Sequence, residues 1–170
     1  FALLNKQSND LLTNTIIHNG FMEGIGRGPE NTKELWMDND DMMLGFHRLA
    51  INGLDNISNQ PIEIDGIKLI CNGEIYNYLE IKSYLISKGY KFRSDTDTEV
   101  ILAAYIEYGQ SCVKYFDGMF AFAIWDNNKK ILFGARDRFG EKPYYYYKDK
   151  HQFSFASEMK ALFSIGIPKI

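Results

Sequence analysis

The sequence has few of the residues that mark disulfide-rich, metal-binding or nucleic-acid-binding proteins. It contains two cysteines, Cys71 and Cys112, and three histidines among 170 residues. Neither cysteine belongs to a Cys-x-x-Cys pair, and no histidine has a partner at metal-ligand spacing. The formal net charge of -3 gives no electrostatic argument for nucleic acid. We therefore expect two reduced, buried thiols, no metal site and no nucleic-acid partner.

Long apolar runs and common phosphate-binding motifs are also missing. No segment approaches the ~20 apolar residues that a membrane helix needs, and the N-terminal FALLNKQSND does not resemble a signal peptide. The motifs GxxxxGK[ST], GxGxxG and GxSxG do not occur. These absences predict a cytoplasmic protein that does not associate with membranes, cradle a phosphate or carry a serine-hydrolase elbow.

The sequence does contain a pattern of strands around a central pair of helices. Strands are predicted for ELWMD, MMLGFHRLAI and IKLICNGEIY, and a first helix from Ser8 or Asn9 to about Phe21. The central helices are predicted from about Tyr78 to Lys88 and from Thr96 or Asp97 to Gly109, with a short helix after them.

The last third of the sequence is dominated by β-strand patterns. GMFAFAIWD, KKILFGARD, KPYYYYKD and HQFSFASE predict an antiparallel meander, and Ser157 is predicted to cap a terminal helix, EMKALFS. Strands, then helices, then strands are typical of an α+β fold rather than of a parallel sheet. We read residues 1–170 as one domain.

Arg48 and the pair Asn72-Gly73 are the first candidate functional residues. Arg48 lies in an otherwise apolar strand, where its guanidinium could bind a carboxylate or could simply reach water at the strand end. Asn72 offers a side-chain amide and Gly73 an approachable backbone N–H, which together suit an oxyanion hole. The alternative is a plain Asn-Gly turn. Cys71, at the end of an apolar run, is interpreted as a core residue rather than a nucleophile.

Two carboxylates, Asp95 and Asp97, precede the second central helix. They could cap that helix, or one of them could face a ligand ammonium. The segments RGPE and ARDRFGEKPYY combine charge with Gly and Pro, and their composition favours rigid surface turns with solvated charges. A guanidinium, a carboxylate and an oxyanion hole together fit one small ligand, an amino acid with a side-chain amide.

Eight motifs in order resemble one known family. They are RGPE, FHRLAI, QP, NGEIYNY, SDTDTEVILAAY, GMFAFAIWD, ARDRFGEKPYYY and FASEMKAL. This set resembles the glutaminase domain of glutamine-hydrolysing asparagine synthetases, a class II glutamine amidotransferase of the N-terminal-nucleophile (Ntn) hydrolases. The resemblance implies an αββα sandwich of two antiparallel sheets between helical layers, and hydrolysis of glutamine to glutamate and ammonia.

The resemblance also implies roles for individual residues. Arg48 would bind the glutamine α-carboxylate and Asp97 its α-amino group, while Asn72 and Gly73 would form the oxyanion hole. Glu74 would line the site. Further backbone contacts are implied for the segment Leu49, Ala50, Ile51 and Asn52. Glu30 stands where the family usually has Asp, and Asn52 stands where an apolar residue is common.

The family's nucleophile is an N-terminal cysteine, which we expect about three residues upstream of Phe1. An ammonia-using synthetase domain is expected after this one, with ATP and Mg confined to it and no cofactor here. Glutamine is the expected ligand, and a homodimer is a possible assembly. Two alternatives stay open: a glutaminase domain of another amidotransferase with a different ammonia acceptor, and a non-catalytic relative that binds glutamine or a partner.

Overall fold

The computed structural model describes most of the chain, namely residues 2–5, 14–37, 42–49 and 59–169. The chain divides into two compact units. The first contains Phe1–Ile51 and Pro143–Ile170, and the second contains Asn52–Lys142. Each unit has one antiparallel sheet and a pair of α-helices among its described residues. The predicted α+β class with two antiparallel sheets is confirmed, and the one-domain interpretation stays a prediction.

Nine strands occur in the described residues. They are β1 (Ala2–Asn5), β2 (Asn31–Met37), β3 (Met42–Arg48), β4 (Ile62–Ile64), β5 (Ile67–Ile75), β6 (Gly118–Asp126), β7 (Ile131–Arg136), β8 (Tyr145–Lys148) and β9 (Gln152–Ala156). The α-helices are α1 (Asn14–Met22), α2 (Tyr78–Ser87), α3 (Asp97–Tyr108) and α4 (Met159–Ser164). In the same described ranges, 3₁₀ helices cover Ile25–Arg27 and Gly109–Tyr115.

The sheet of the first unit has the strand order β2-β3-β1-β9-β8, and all its pairs are antiparallel. Its two helices, α1 and α4, meet at Gly20, where a Cβ would lie 2.4 Å from the Ile165 side chain. The core beneath them combines apolar side chains of both helices and the sheet. It contains Ile17, Phe21, Met43, Ala156, Ala161, Leu162 and Ile165.

The sheet of the second unit has the order β4-β5-β6-β7. Because side chains alternate along a strand, Leu69 and Cys71 of β5 and Phe122 of β6 lie on the same face and join one core. The helix α3 supplies the other half of that core with a fully buried run from Thr98 to Tyr105. The sequence predicted both central helices to within about one residue of their ends.

The pairs β6–β7 and β8–β9 of the predicted meander are confirmed, but the pairing of β7 with β8 that would join them is wrong. The strands β6 and β7 belong to the sheet of the second unit, whereas β8 and β9 belong to that of the first, where β9 pairs with β1. Alternation of apolar residues identifies a strand but not its sheet, because pairing depends on distant segments.

Smaller corrections concern the ends of elements. The sequence did not predict the strand β4, whose three residues pair with β5. The residue before α4 is Glu158 rather than Ser157, and no side-chain hydrogen bond caps that helix. The short helix around Cys112 is the 3₁₀ helix Gly109–Tyr115. The predicted first-helix caps Ser8 and Asn9 lie outside the described residues.

Candidate active site

Among the described residues, one edge of β5 has no strand partner beside the predicted oxyanion residues. On one side, β5 pairs with β6 along its whole length, from Ile67 to Ile75. On the other side, β4 reaches only as far as Leu69. No described strand covers the rest of this side, which we call the open edge of β5 and define by Cys71, Gly73 and Ile75.

Hydrogen-bond alternation directs the N–H groups of these three residues away from β6. In an antiparallel pair, alternate residues bond to the partner strand and the residues between them face outwards. Tyr76 donates to the Asp117 carbonyl at 2.7 Å, so the even-numbered residues of this region bond towards β6. Phe120, opposite Gly73, instead donates to Asp137 and accepts from its N–H. The odd-numbered residues of β5 therefore face the open edge.

Two side chains satisfy the backbone on either side of Gly73. The Cys71 N–H donates to Gln60 Oε1 at 2.5 Å, and Gln60 Nε2 donates to the Cys71 carbonyl at 3.0 Å. The Ile75 N–H donates to Asp97 Oδ2 at 2.9 Å. No acceptor for the Gly73 N–H is found among the described residues. This donor therefore lies between two satisfied neighbours and is able to bind an oxyanion.

Gly73 cannot be replaced without moving the sheet. Its φ is 142°, and a Cβ would lie 2.0 Å from the Met119 carbonyl oxygen and 2.6 Å from Phe120 Cα. Asn72 and Gly73 both lie within β5, so they do not form the Asn-Gly turn that was the alternative interpretation. The signal in the sequence was a glycine in a strand interior, which often marks close approach of another backbone or a ligand.

Asn72 and Glu74 lie on the face of β5 opposite the helical core. Asn72 is half-buried and stands opposite the small residue Ala121 on β6. Within the described part of the chain, its side-chain amide has no hydrogen-bond partner. Glu74 is exposed. The Asn72 amide and the Gly73 N–H, which have no partner among the residues that the structure describes, give two donors from adjacent residues, as an oxyanion hole requires.

Asp97 and Asp95 have different environments, although a single residue separates them. Asp97 is half-buried as the first residue of α3, and burial raises the pKa of its carboxyl despite the N–H groups of Ile75 and Thr98. Asp95 is exposed and pairs with Lys82 at 2.5 Å. The N-cap residue of α3, Thr96, makes no side-chain cap hydrogen bond, whereas the Asp97 carboxylate interacts with the Thr98 N–H in the first turn. Asp97 is therefore the carboxylate that can meet a ligand ammonium beside β5.

The loop before α3 is organised by Glu99, which the sequence did not single out. The buried Glu99 carboxylate accepts from the N–H groups of Arg93 and Ser94 at 2.9 and 2.8 Å and from the Ser94 hydroxyl at 2.7 Å. Burial alone would raise its pKa, but these donors and Arg93 lower it overall. Glu99 fixes the path of the chain into Asp97, so it supports the site without facing it.

Neither cysteine has the environment of a nucleophile. Cys71 is 3% exposed and Cys112 is fully buried. Burial raises the pKa of both thiols, that of Cys112 to about 12, and the Asp97 charge raises that of Cys71 further. The interpretation of Cys71 as a core residue is confirmed.

Arg48 is the last residue of β3 in the first unit, and it is half-buried. The RGPE turn packs directly against this strand end. A Cβ on Gly28 would lie 2.5 Å from the Arg48 carbonyl carbon, and the Glu30 N–H donates to the Arg48 carbonyl at 3.3 Å. Arg27 also lies 3.8 Å from Glu158 of the FASE motif. Leu49 is exposed, and the predicted contacts Ala50, Ile51 and Asn52 lie outside the described residues.

The interpretation of ARDRFGEKPYY as a turn of solvated charges is wrong for Asp137. This residue is 6% exposed, and its carboxylate accepts from the N–H groups of Phe120, Phe139, Glu141 and Lys142 at 2.9 to 3.3 Å. Burial by itself raises the pKa of Asp137, but these four donors lower it overall. Composition could not show this, because the donors are backbone groups.

The histidine His47 has a structural role. Its ring stacks on Phe21 at 4.0 Å, its Nε2 donates to the Phe21 carbonyl at 2.8 Å, and its Nδ1 lies 2.9 Å from the Thr32 hydroxyl. Burial lowers its pKa, which favours the neutral ring. The described residues contain no cluster of three or more His, Cys, Asp or Glu side chains placed for a metal ion. Their helices include none long and apolar enough to span a membrane.

Known proteins are similar to this chain over almost its whole length. Residues 5–169 match the family described as "Glutamine amidotransferase domain". The glutamine-hydrolyzing asparagine synthetase 1 of Bacillus subtilis (strain 168) is 44% identical over 140 residues, 81% of this chain and 22% of that protein. The asparagine synthetase 3 of the same strain is 37% identical over 161 residues, 92% of this chain and 24% of that protein. The chain thus spans about a quarter of the length of these relatives.

A solved structure shows the same fold. The glutamine phosphoribosylpyrophosphate amidotransferase from B. subtilis, complexed with ADP and GMP, superposes with a TM-score of 0.78 at 18% identity. The match covers 97% of this chain and 43% of that one. Such low identity is evidence for the fold alone. The family match over residues 5–169 shows that this chain belongs to the glutamine amidotransferase domain family.

Proposed function

We propose that this domain hydrolyses glutamine to glutamate and ammonia, and that the ammonia serves ATP-dependent synthesis of asparagine from aspartate. The observation that carries the proposal is the open edge of β5, where the Gly73 N–H has no acceptor among the described residues and lies between two satisfied neighbours. The similarity to asparagine synthetases supports the choice of acceptor. ATP and Mg would bind to a synthetase domain, and the whole protein would be a cytoplasmic ligase.

The reaction would proceed through a covalent thioester. A thiolate attacks the side-chain amide carbon of glutamine, and the oxygen that becomes negative accepts hydrogen bonds from the Gly73 N–H and the Asn72 amide. Collapse of this tetrahedral intermediate releases ammonia, with its proton supplied by the protonated base. Water then cleaves the thioester and gives glutamate.

The attacking thiol would be the N-terminal cysteine that the family resemblance implies. Cys71 and Cys112 are poor candidates, because both are buried and the pKa of each thiol is raised. An N-terminal cysteine carries its own base, since an α-amino group has a reference pKa of roughly 7.7–8.0.

The substrate would be oriented by its α-carboxylate and α-ammonium. We propose that Asp97 accepts the ammonium and that Arg48 binds the carboxylate, with Glu74 and the backbone of residues 49–52 contributing further contacts. The raised pKa of Asp97 supports its part, because a cation beside a half-buried carboxylate relieves the cost of ionising it. The sequence motifs alone support the part of Arg48.

Glutamine hydrolysis by the full-length protein tests this function. We expect glutamate release from glutamine, a loss of about 100-fold or more in kcat with Asn72→Ala, and little change in KM. Arg48→Ala should instead raise KM. Asn127→Ala, which removes an exposed amide from the turn after β6, is the matched control and should leave both constants unchanged.

Two results would contradict the proposal. Absence of glutamate release by the purified full-length protein would favour the non-catalytic relative. Glutamate release without ATP-dependent conversion of aspartate to asparagine would favour a different ammonia acceptor.

A further inference from the structure

The buried residue Gln60 is placed to control the geometry of the open edge. It is 8% exposed, and both polar atoms of its side chain bond to the same residue, Cys71. A buried side-chain amide that bonds to both the N–H and the C=O of one residue takes the place of a neighbouring strand. Nothing in the family match assigns this residue a role.

The register of the sheet explains why a side chain is used at this point. The strand β4 pairs Ile62 with Leu69, and continuing that register by two residues places Gln60 opposite Cys71. The backbone ladder between the two strands ends at the Ile62–Leu69 pair, since β4 covers only Ile62–Ile64. The Gln60 side chain therefore supplies the donor and acceptor that a further ladder pair would have supplied.

We infer that Gln60 is a positioning residue for the oxyanion hole. It fixes the peptide of Cys71 while Asp97 fixes that of Ile75, and the Gly73 N–H between them is thereby held in one direction. This inference rests on the proposed glutaminase function. Because both polar atoms of the Gln60 side chain bond to Cys71, we expect its effect on the transition state and not on glutamine binding.

The substitution Gln60→Glu tests this in the full-length protein. A carboxylate can still accept from the Cys71 N–H, but its second oxygen faces the Cys71 carbonyl and repels it. We expect kcat to fall about 10- to 100-fold at neutral pH with KM almost unchanged. Protonation restores a donor, and burial raises the pKa of the new carboxyl. The ratio of variant to wild-type kcat should therefore rise as the pH is lowered towards ~5.

Asn77 offers a matched control. Its amide also bridges two backbone groups, donating to the Tyr115 carbonyl at 2.9 Å and accepting from the Asp117 N–H at 3.0 Å. Asn77→Asp makes the same chemical change in an amide that bridges two backbone groups but does not contact Cys71. We expect it to change the melting temperature without the fall in kcat and without acid rescue.

Amide hydrogen exchange gives a readout that does not depend on activity. Gln60→Glu should accelerate exchange in the peptide covering residues 70–75 at neutral pH while leaving α3 protected. If wild-type protein releases no glutamate, the proposed function fails. Unchanged exchange in that peptide would separately contradict the inference that Gln60 fixes the backbone of Cys71. If wild-type protein is active but Gln60→Glu matches Asn77→Asp in kcat, the positioning role is overturned.

Discussion

Asp97 and Asp137 both accept backbone N–H groups within the second unit, but their pKa values shift in opposite directions. Four N–H groups converge on the buried Asp137, and its pKa is lowered overall although burial raises it. Asp97 receives fewer donors, so burial prevails and its pKa is raised. A carboxylate whose donors are complete stabilises a loop, whereas one left short of donors can bind a cation.

The largest effect is expected from removing the Asp137 carboxylate, whose hydrogen-bond donors are complete. Asp137→Ala leaves four backbone donors without their acceptor, and we expect the free energy of unfolding to fall by about 3 kcal/mol or more. Urea denaturation would measure it. Asp149→Ala is the control, because Asp149 accepts from the N–H groups of His151 and Gln152 in an exposed turn. An equal loss for both variants would contradict the argument from burial.

Removing the charge of Asp97, which receives fewer donors, should affect glutamine binding instead. Asp97→Asn retains an oxygen for the Ile75 N–H but loses the charge that would face the substrate ammonium. We expect KM for glutamine to rise about 50- to 100-fold, equivalent to about 2.5 kcal/mol, with a small change in stability. Steady-state kinetics of the full-length protein measure the first and thermal melting the second. Unchanged KM would remove Asp97 from the proposed site.

The opposite pKa shifts predict opposite pH dependences of stability. A carboxyl whose folded pKa is lowered stabilises the protein above its unfolded pKa, and this stabilisation is lost as the pH falls through the folded pKa. That describes Asp137. A carboxyl whose folded pKa is raised favours folding below its unfolded pKa, and this contribution is lost as the pH rises through the folded pKa. That describes Asp97.

Urea denaturation across the acidic range checks these signs. The stability difference between wild type and Asp137→Asn should shrink as the pH falls below about 4, the reference value for an aspartate. The free energy of unfolding of the wild type should fall relative to that of Asp97→Asn as the pH rises above that value. Slopes of the same sign for both would show that the two carboxylates do not differ as proposed.

The sequence predicted local structure well and pairing poorly, for physical reasons. Apolar periodicity located α2 and α3, and order of motifs identified the family. The sheet to which β8 and β9 belong depends on pairing with β1, more than 140 residues away, and no local pattern contains that information. Gln60, Glu99 and Asp137 were not predicted as buried, since their partners are backbone groups.

The candidate site was predicted by motif, and the structure supplies the reason for one choice within it. Asp95 and Asp97 have identical side chains, and spacing relative to the family motif was the argument for Asp97. In the structure, Asp97 meets β5 while Asp95 faces solvent with Lys82. The difference arises because Asp97 is the first residue of α3, whose buried face packs towards β5.

Asp95→Asn should therefore have the smallest effect. Asp95 is fully exposed, and the Lys82 side chain lowers its pKa through a hydrogen bond and charge attraction. Exposed ion pairs contribute little to stability, because solvent screens them and both side chains lose freedom on pairing. We expect the same melting temperature and the same KM for glutamine as the wild type. A rise in KM comparable to that of Asp97→Asn would mean that a ligand ammonium is recognised from the solvent-facing side of the loop, and the assignment of Asp97 to the open edge would then be wrong.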